Sequence, residues 1–274
     1  MQYADVAVDA KTNLQRQTFT YNIPPDLLPD IKPGILVLVP FHGRKIQGVI
    51  VAIKQFSNLT IRGKLKPIIK IIDKNIVLDS KHIELAQWLS DYYFTPIGEI
   101  IFSMMPKPAI RQIKINTQHI ITQKNAIAVS CVNNKPRKGN IYTLYNDISN
   151  RHKVYSNLID KALYKNKTSM VLFPTVRQSG DFKKQLSNNI SSVLYHSNMT
   201  TTERYQMWND VRFNKYQVVV GTRPTVFAPI QNLGLIIIDQ SENFGYKEDQ
   251  LSRYHSVAVA RKLSELTGAN LVLG

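Results

Sequence analysis

Residues 218 to 242 read Val218-Val219-Val220-Gly221-Thr222-Arg223-Pro224-Thr225-Val226-Phe227-Ala228-Pro229-Ile230-Gln231-Asn232-Leu233-Gly234-Leu235-Ile236-Ile237-Ile238-Asp239-Gln240-Ser241-Glu242. Two continuous apolar runs, of the kind buried on both faces of a sheet, are joined by a Gly-Thr-Arg turn, and the second run ends in an acid. Working outward, the periodicity predicts a strand near 141–145, helix 150–165, strand 169–174, helix 176–187, strand 191–195 and helix 200–213. After these come strands 216–220 and 234–239, helix 253–267 and strand 270–273. Strand and helix in turn predict a parallel sheet with right-handed crossovers.

The first hundred residues follow another rule. Residues 3 to 9 alternate, Tyr3, Asp5, Ala7 and Asp9 against Ala4, Val6 and Val8, the period of a half-buried strand. Phe19 to Ile23 repeats the pattern and stops at Pro24-Pro25; a third run starts after Lys32-Pro33-Gly34, and Phe41 to Lys45 reads as a tight turn into Ile46 to Ile53. Short strands punctuated by Pro and Gly predict a small β-domain of barrel type. From Ser80, a candidate cap, Ile83, Leu85, Ala86, Leu89, Tyr92 and Tyr93 form one face of a helix that packs on this barrel. Residues 133–140 are a linker by composition.

With 274 residues the chain has length for about two domains. Its single cysteine, Cys131, forbids an internal disulfide and a thiolate zinc site. His82, His119, His196 and His255 lack ligand spacing, and no Gly-x-Ser-x-Gly elbow occurs. No apolar stretch approaches a membrane span, and the N-terminus lacks a leader pattern, so a cytoplasmic protein is expected. The net charge is +16, and it is uneven: between residues 106 and 170 twelve Lys and Arg face only Asp147 and Asp160. Such a stretch is either a solvated tether or a sequence-independent phosphate contact.

Gly221-Thr222-Arg223, Phe227-Ala228-Pro229, Asn232-Leu233-Gly234, the strand into Asp239, Tyr246-Lys247 and Arg253-Tyr254-His255 occur in an order and spacing that resemble the first helicase lobe of the primosomal protein N′ (PriA) replication-restart family. Val37 to Phe41, Gly48 to Val51, Leu65-Lys66-Pro67-Ile68, Asp91-Tyr92-Tyr93 and Pro96-Ile97-Gly98-Glu99 independently resemble that family's 3′-DNA-end-binding domain. The resemblance implies an end-binding domain over 1–106, a basic connector over 107–139 and a degenerate RecA-like lobe over 140–274, with no winged-helix domain, zinc module or second lobe.

In such lobes the strand-end Asp holds Mg²⁺ through water and the next residue, Glu, orients the attacking water. Here that residue is Gln240, an amide without a basic oxygen. The family's Asp-Glu-Glu-His box is Asp239-Gln240-Ser241-Glu242, and Asp147 to His152 stand where the phosphate loop belongs, without glycine and with Arg151 and His152 in the Lys and Thr places. Asp239 is expected to cap a turn or helix rather than hold a cation.

For the end pocket the resemblance carries over Phe19, Thr20, Tyr21, Lys66 and the turn Pro40-Phe41-His42, Thr20 standing where the family has Asp. His42 replaces a backbone-permissive residue of that turn. Arg44, Lys45, Thr222 and Arg223 are further candidate DNA contacts. The plainer readings stay open: aromatics in strands as core, Lys66 as a solvated cation, Arg223 as a surface ion pair.

The expectation is a DNA-binding protein of replication restart or repair that recognises forks, 3′ ends or single strands. It lacks ATPase activity and cofactors, has primosome or single-strand-binding proteins as candidate partners, and has no membrane role. Its competitors are an ATP-dependent helicase whose second lobe is missing or supplied in trans, and a structural adaptor.

Overall fold

The computed structural model describes residues 2–11, 18–55, 65–106, 139–144, 148–249 and 253–274. Cys131, the basic run Lys135, Arg137 and Lys138 and the loop residue Asp147 lie outside them. Two compact units emerge, one of residues 1–105 with Glu248–Tyr254, the other of residues 106–247 with 255–274. The short piece Glu248–Tyr254, assigned from sequence to the lobe, groups with the first unit.

The first unit is an antiparallel sheet in the order β2-β1-β4-β3-β5. Its strands are β1 (Gln2–Val8), β2 (Phe19–Asn22), β3 (Ile35–Phe41), β4 (Arg44–Gln55) and β5 (Lys70–Ile76). Its edges meet ahead of β5. Asn22 N–H donates to the Lys66 carbonyl and Ile68 N–H to the Asn22 carbonyl, both at 3.0 Å, while Ile69 N–H donates to the Leu38 carbonyl at 2.9 Å. Residues 66–69 thus bridge β2 to β3 and join the sheet into the expected barrel. β3 and β4 are linked by a two-residue turn with φ of 42° at His42 and 79° at Gly43, the positive pair that matches strand twist. His42 therefore makes the turn despite its side chain.

The barrel interior is filled by Ala4, Val6, Val8, Tyr21, Ile23, Val37, Val39, Ile50 and Ile68. Contrary to the half-buried pattern, every residue from Tyr3 to Val8 is buried. The reason is a second cover. Helix α2 (Ile97–Met104) lies against β1 so closely that a Cβ on Gly98 would stand 2.3 Å from the Val8 carbonyl oxygen. Helix α1 (Ser80–Tyr92) is capped by Asp79, one residue before the expected Ser80, because the Asp79 carboxylate accepts from His82 N–H at 2.9 Å and from His82 Nδ1 at 2.8 Å. Its buried face runs from His82 to Ser90; Tyr92 is exposed and stacks on Trp88 with centroids 4.9 Å apart. Neither α2 nor β5 follows from the sequence periodicity.

The second unit holds a six-stranded sheet in the order β6-β11-β10-β7-β9-β8, every pairing parallel. The strands are β6 (Ile141–Thr143), β7 (Thr168–Leu172), β8 (Ser192–Tyr195), β9 (Val218–Gly221), β10 (Leu233–Ile238) and β11 (Asn270–Leu273). The helices are α3 (Ile148–Tyr164), α4 (Val176–Gln185), α5 (Thr201–Arg212) and α6 (Ser256–Thr267). The expected parallel-sheet α/β lobe is thus present. β9 and β10, consecutive in the opening stretch, are not neighbours, since β7 lies between them. Gly221 is obligatory, because a Cβ there would sit 1.9 Å from the Tyr195 carbonyl oxygen. Tyr155, Ile159 and Phe182 pack on Val171, Val220 and Ile237 to form the core of one face.

Candidate functional site

Strand alternation separates the three residues of the predicted pocket. Phe19 and Tyr21 point into the barrel with Val6 and Val8, whereas Thr20 points outward with Asp5, its direct cross-strand partner. Tyr21 is 4% exposed and donates its hydroxyl to the Pro40 carbonyl at 3.1 Å, so its ring is core. Phe19 and Phe41, both half-buried, meet edge to face at 4.9 Å, and His42 meets Phe41 at 4.4 Å. The predicted aromatics therefore gather where β2 meets the β3–β4 turn, on the opposite side of the strand from Thr20.

On the outer face, Thr20 Oγ1 donates to Asp5 Oδ1 at 2.8 Å, and Lys54 Nζ lies 2.5 Å from Asp5 Oδ2. Neither Asp5 nor Lys54 stands out in the sequence. Their partnership needs the register of three strands, which no local pattern carries. Lys66 is exposed, its backbone fixed to the end of β2 through Asn22. Arg44 and Lys45 are exposed and pair with Phe41 and Pro40 at the start of β4.

In the lobe, Thr222 is buried with its N–H on the Tyr195 carbonyl at 3.2 Å, and one Arg223 guanidinium nitrogen donates to the Lys247 carbonyl at 2.5 Å. Arg223 thus holds a neighbouring loop.

The nucleotide-site residues converge, in an arrangement unlike the one expected. Ile148 to His152 begin α3 instead of forming a loop. His152 turns among aromatics, edge to face with Phe173 at 5.8 Å and Phe182 at 5.2 Å, with Nδ1 3.1 Å from Gln185 Oε1. Asp239 is 2% exposed, and in place of the expected cap the described contacts of its carboxylate run to Tyr155 and Arg151. Its Oδ1 accepts from the Tyr155 hydroxyl at 2.9 Å and faces an Arg151 guanidinium nitrogen at 3.6 Å. Burial, and then the neighbouring Asp239 carboxylate, push the Tyr155 phenol well above its ordinary range, so it stays a donor. Tyr246 completes the cluster, its hydroxyl 2.7 Å from the Asp239 carbonyl and 3.0 Å from the Leu172 carbonyl, tying the ends of β10 and β7. Gln240 follows with φ of 50°, and its carbonyl accepts from Asn243 N–H at 2.8 Å. Among the described residues no group of three or more His, Cys, Asp and Glu is arranged to hold a metal ion. No described helix is long and apolar enough to cross a membrane.

Residues 5–106 match the family model of the 3′DNA-binding domain (3′BD). The replication restart protein PriA of Rickettsia felis is 26% identical over 268 residues, which cover 92% of this chain and 40% of that protein. PriA of Bacillus subtilis is 23% identical, covering all of this chain and 53% of the relative, and that of Synechocystis is 33% identical over 131 residues, covering 46% and 16%. The chain thus spans about two fifths to one half of the relatives matched along most of its length. Among solved structures, yeast Dbp5 bound to RNA and ADP BeF3 is a remote likeness, at 14% identity and TM-score 0.39, covering 68% of this chain and 47% of that one.

Proposed function

We propose that the chain, PriA-like with a match to the 3′-DNA-binding domain ahead of a parallel α/β lobe, binds branched or 3′-ended DNA in replication restart or repair without hydrolysing ATP. The observation that carries the proposal is the match of residues 5–106, a stretch that here folds into a joined barrel with a polar pair, Thr20 and Asp5, on its outer face. Exposed Arg44, Lys45 and Lys66 supply cations for the phosphodiester backbone, an attraction without sequence preference.

The non-hydrolytic part is supported by Asp239. A cation would have to compete for Asp239, which is buried and spends Oδ1 on the Tyr155 hydroxyl and the Arg151 guanidinium. The residue after it, Gln240, has no basic oxygen for an attacking water. The stretch Asp147 to His152 holds no glycine to build a cradle of amides, and of it Ile148 to His152 are helical. Primosome and single-strand-binding proteins are the partners such a role calls for.

The test is a titration with forked DNA whose leading strand ends in a 3′-hydroxyl or is blocked, with and without ATP and Mg²⁺. End-sensitive binding that ATP leaves unchanged is expected. Binding blind to the end, or phosphate release stimulated by DNA, overturns the respective half of the proposal.

A further inference from the structure

The polar groups on the outer face of the barrel form a chain: Lys54 Nζ to Asp5 Oδ2 at 2.5 Å, and Thr20 Oγ1 to Asp5 Oδ1 at 2.8 Å. Three features set this arrangement apart from an ordinary surface pair. The Asp5 side chain is 9% exposed, so its charge is sustained by these two donors rather than by water. Thr20, directly opposite Asp5, remains half-buried and stands at the surface end of the chain. The pairing of β1 with β4 slips at this point, Asp5 facing Ala52 and Val6 facing Ile50, so one extra residue of β4 is inserted beside Asp5. Lys54, paired with Tyr3 on the regular side of this bulge, reaches Asp5 as its diagonal neighbour on the same face.

Hydrogen-bond direction decides what Thr20 offers a ligand. A hydroxyl has one proton, and the Thr20 proton is committed to Asp5. Its remaining lone pairs can only accept. A ligand group that donates, such as a terminal sugar hydroxyl, is matched; a terminal phosphate brings acceptors and negative charge against a lone pair backed by a carboxylate. Lys54, with a side chain 52% exposed, neutralises Asp5 and leaves ammonium hydrogens toward solvent and any phosphodiester nearby.

We propose that Asp5 and Lys54 are the specificity-setting pair of the DNA-end site, Asp5 polarising Thr20 to accept from a 3′-hydroxyl and to exclude a 3′-phosphate, and Lys54 moderating that exclusion. This rests on the reading of Thr20 as a residue that touches the end. Asp5 and Lys54 then act in opposite senses. Removing the carboxylate charge lets the phosphate end in; removing the ammonium shuts it out more firmly.

The experiment measures affinity of the full chain for one tailed duplex carrying either a 3′-hydroxyl or a 3′-phosphate, by fluorescence anisotropy, for wild type, Asp5→Asn, Lys54→Met, Thr20→Val and Lys66→Ala. The ratio of the two affinities is independent of the folded fraction, so partial unfolding does not imitate the effect. Wild type should prefer the hydroxyl end. Asp5→Asn should lower the preference several-fold toward unity, and Lys54→Met should raise it several-fold while weakening both ends. If Thr20→Val erases the preference but the Asp5 and Lys54 variants keep the wild-type ratio, or shift it in the same direction, this pair is not the determinant and the end-site reading survives. If Thr20→Val keeps the ratio and Lys66→Ala keeps the affinity, the end site lies elsewhere and both readings fail. Should Asp5→Asn not fold, the exposed Lys54→Met change decides alone, by whether the preference rises.

Discussion

The phenol of Tyr155 donates to Oδ1 of Asp239 at 2.9 Å, fastening helix α3 to the end of strand β10 across 84 residues of sequence. Tyr155→Phe keeps the ring in the core and removes only the hydroxyl, so the cost should be that of one buried, charge-assisted bond, about 1.5–3 kcal/mol. Arg151→Met should cost as much or more, because it strips the buried carboxylate of its cation. Chemical denaturation of the purified variants checks both, and equal stability of Tyr155→Phe and wild type would refute the bond's importance.

ATP with Mg²⁺ should show no micromolar binding in calorimetry and no DNA-stimulated phosphate release. Gln240→Glu should restore neither, because the carboxylate it creates follows an Asp239 still covered by Tyr155 and Arg151. Turnover by the Gln240→Glu variant would show that the covered Asp239 is no obstacle.

Neutralising Lys135, Arg137 and Lys138 together should weaken binding to every DNA alike and flatten the dependence on salt by about 0.7 to 0.9 in log–log slope for each phosphate that is no longer neutralised. The ratio between hydroxyl and phosphate ends should stay. Unchanged affinity and slope would leave the run as a tether.

Acid sensitivity should map to the start of α1. Burial alone raises the Asp79 carboxyl, but its bonds to His82 outweigh it and bring the group down from 3.8 to about 2. A depressed folded value means stability that is complete above about pH 4 and is lost as the pH falls toward about 2. Asp79→Asn keeps an acceptor for the cap without the charge, so the stability gap between wild type and variant should shrink over that interval. With the side chain 37% exposed, the gap at neutral pH should be about 1 kcal/mol. A gap independent of pH would remove the carboxylate from the account.

Gly221→Ala should destabilise the lobe by about 1–3 kcal/mol, since the added methyl collides with the Tyr195 backbone and not with a side chain able to move. Thermal melts of the variant report it directly.

Regular elements of the lobe are legible because each carries its period locally: Leu233 to Ile238 is a buried strand by composition alone, and Gly268, with φ of 75°, stops α6 where the apolar period ends. The separation of Thr20 from Phe19 and Tyr21 is legible too, since residues one apart on a strand face opposite ways; reading the three as one motif conceals it. The links of Asp5 with Lys54 and of Tyr155 with Asp239 are not. They depend on strand register and on where α3 crosses the sheet, and these are set by packing among segments distant in sequence. The burial of β1 on both faces escapes for the same reason, because the element that covers its outer face, α2, begins about ninety residues downstream of it.

The cover on Asp239 also makes the lobe hard to reverse by small steps. A phosphate-accepting loop needs glycines in place of the first turn of α3, and that exchange takes Arg151 away from the carboxylate. Restoring a solvent-facing Asp239 needs a smaller residue than Tyr155, and that exchange takes away the second donor. Each change made alone leaves a buried carboxylate short of a partner, at a cost of about 1.5–3 kcal/mol for the lost hydroxyl and about 3–5 kcal/mol for the lost cation, a large part of a domain's whole stability. The three residues form a valley in sequence space that mutation enters together and leaves only together, so descendants of this chain can drift widely at their surfaces while Arg151, Tyr155 and Asp239 stay bound to one another's fate.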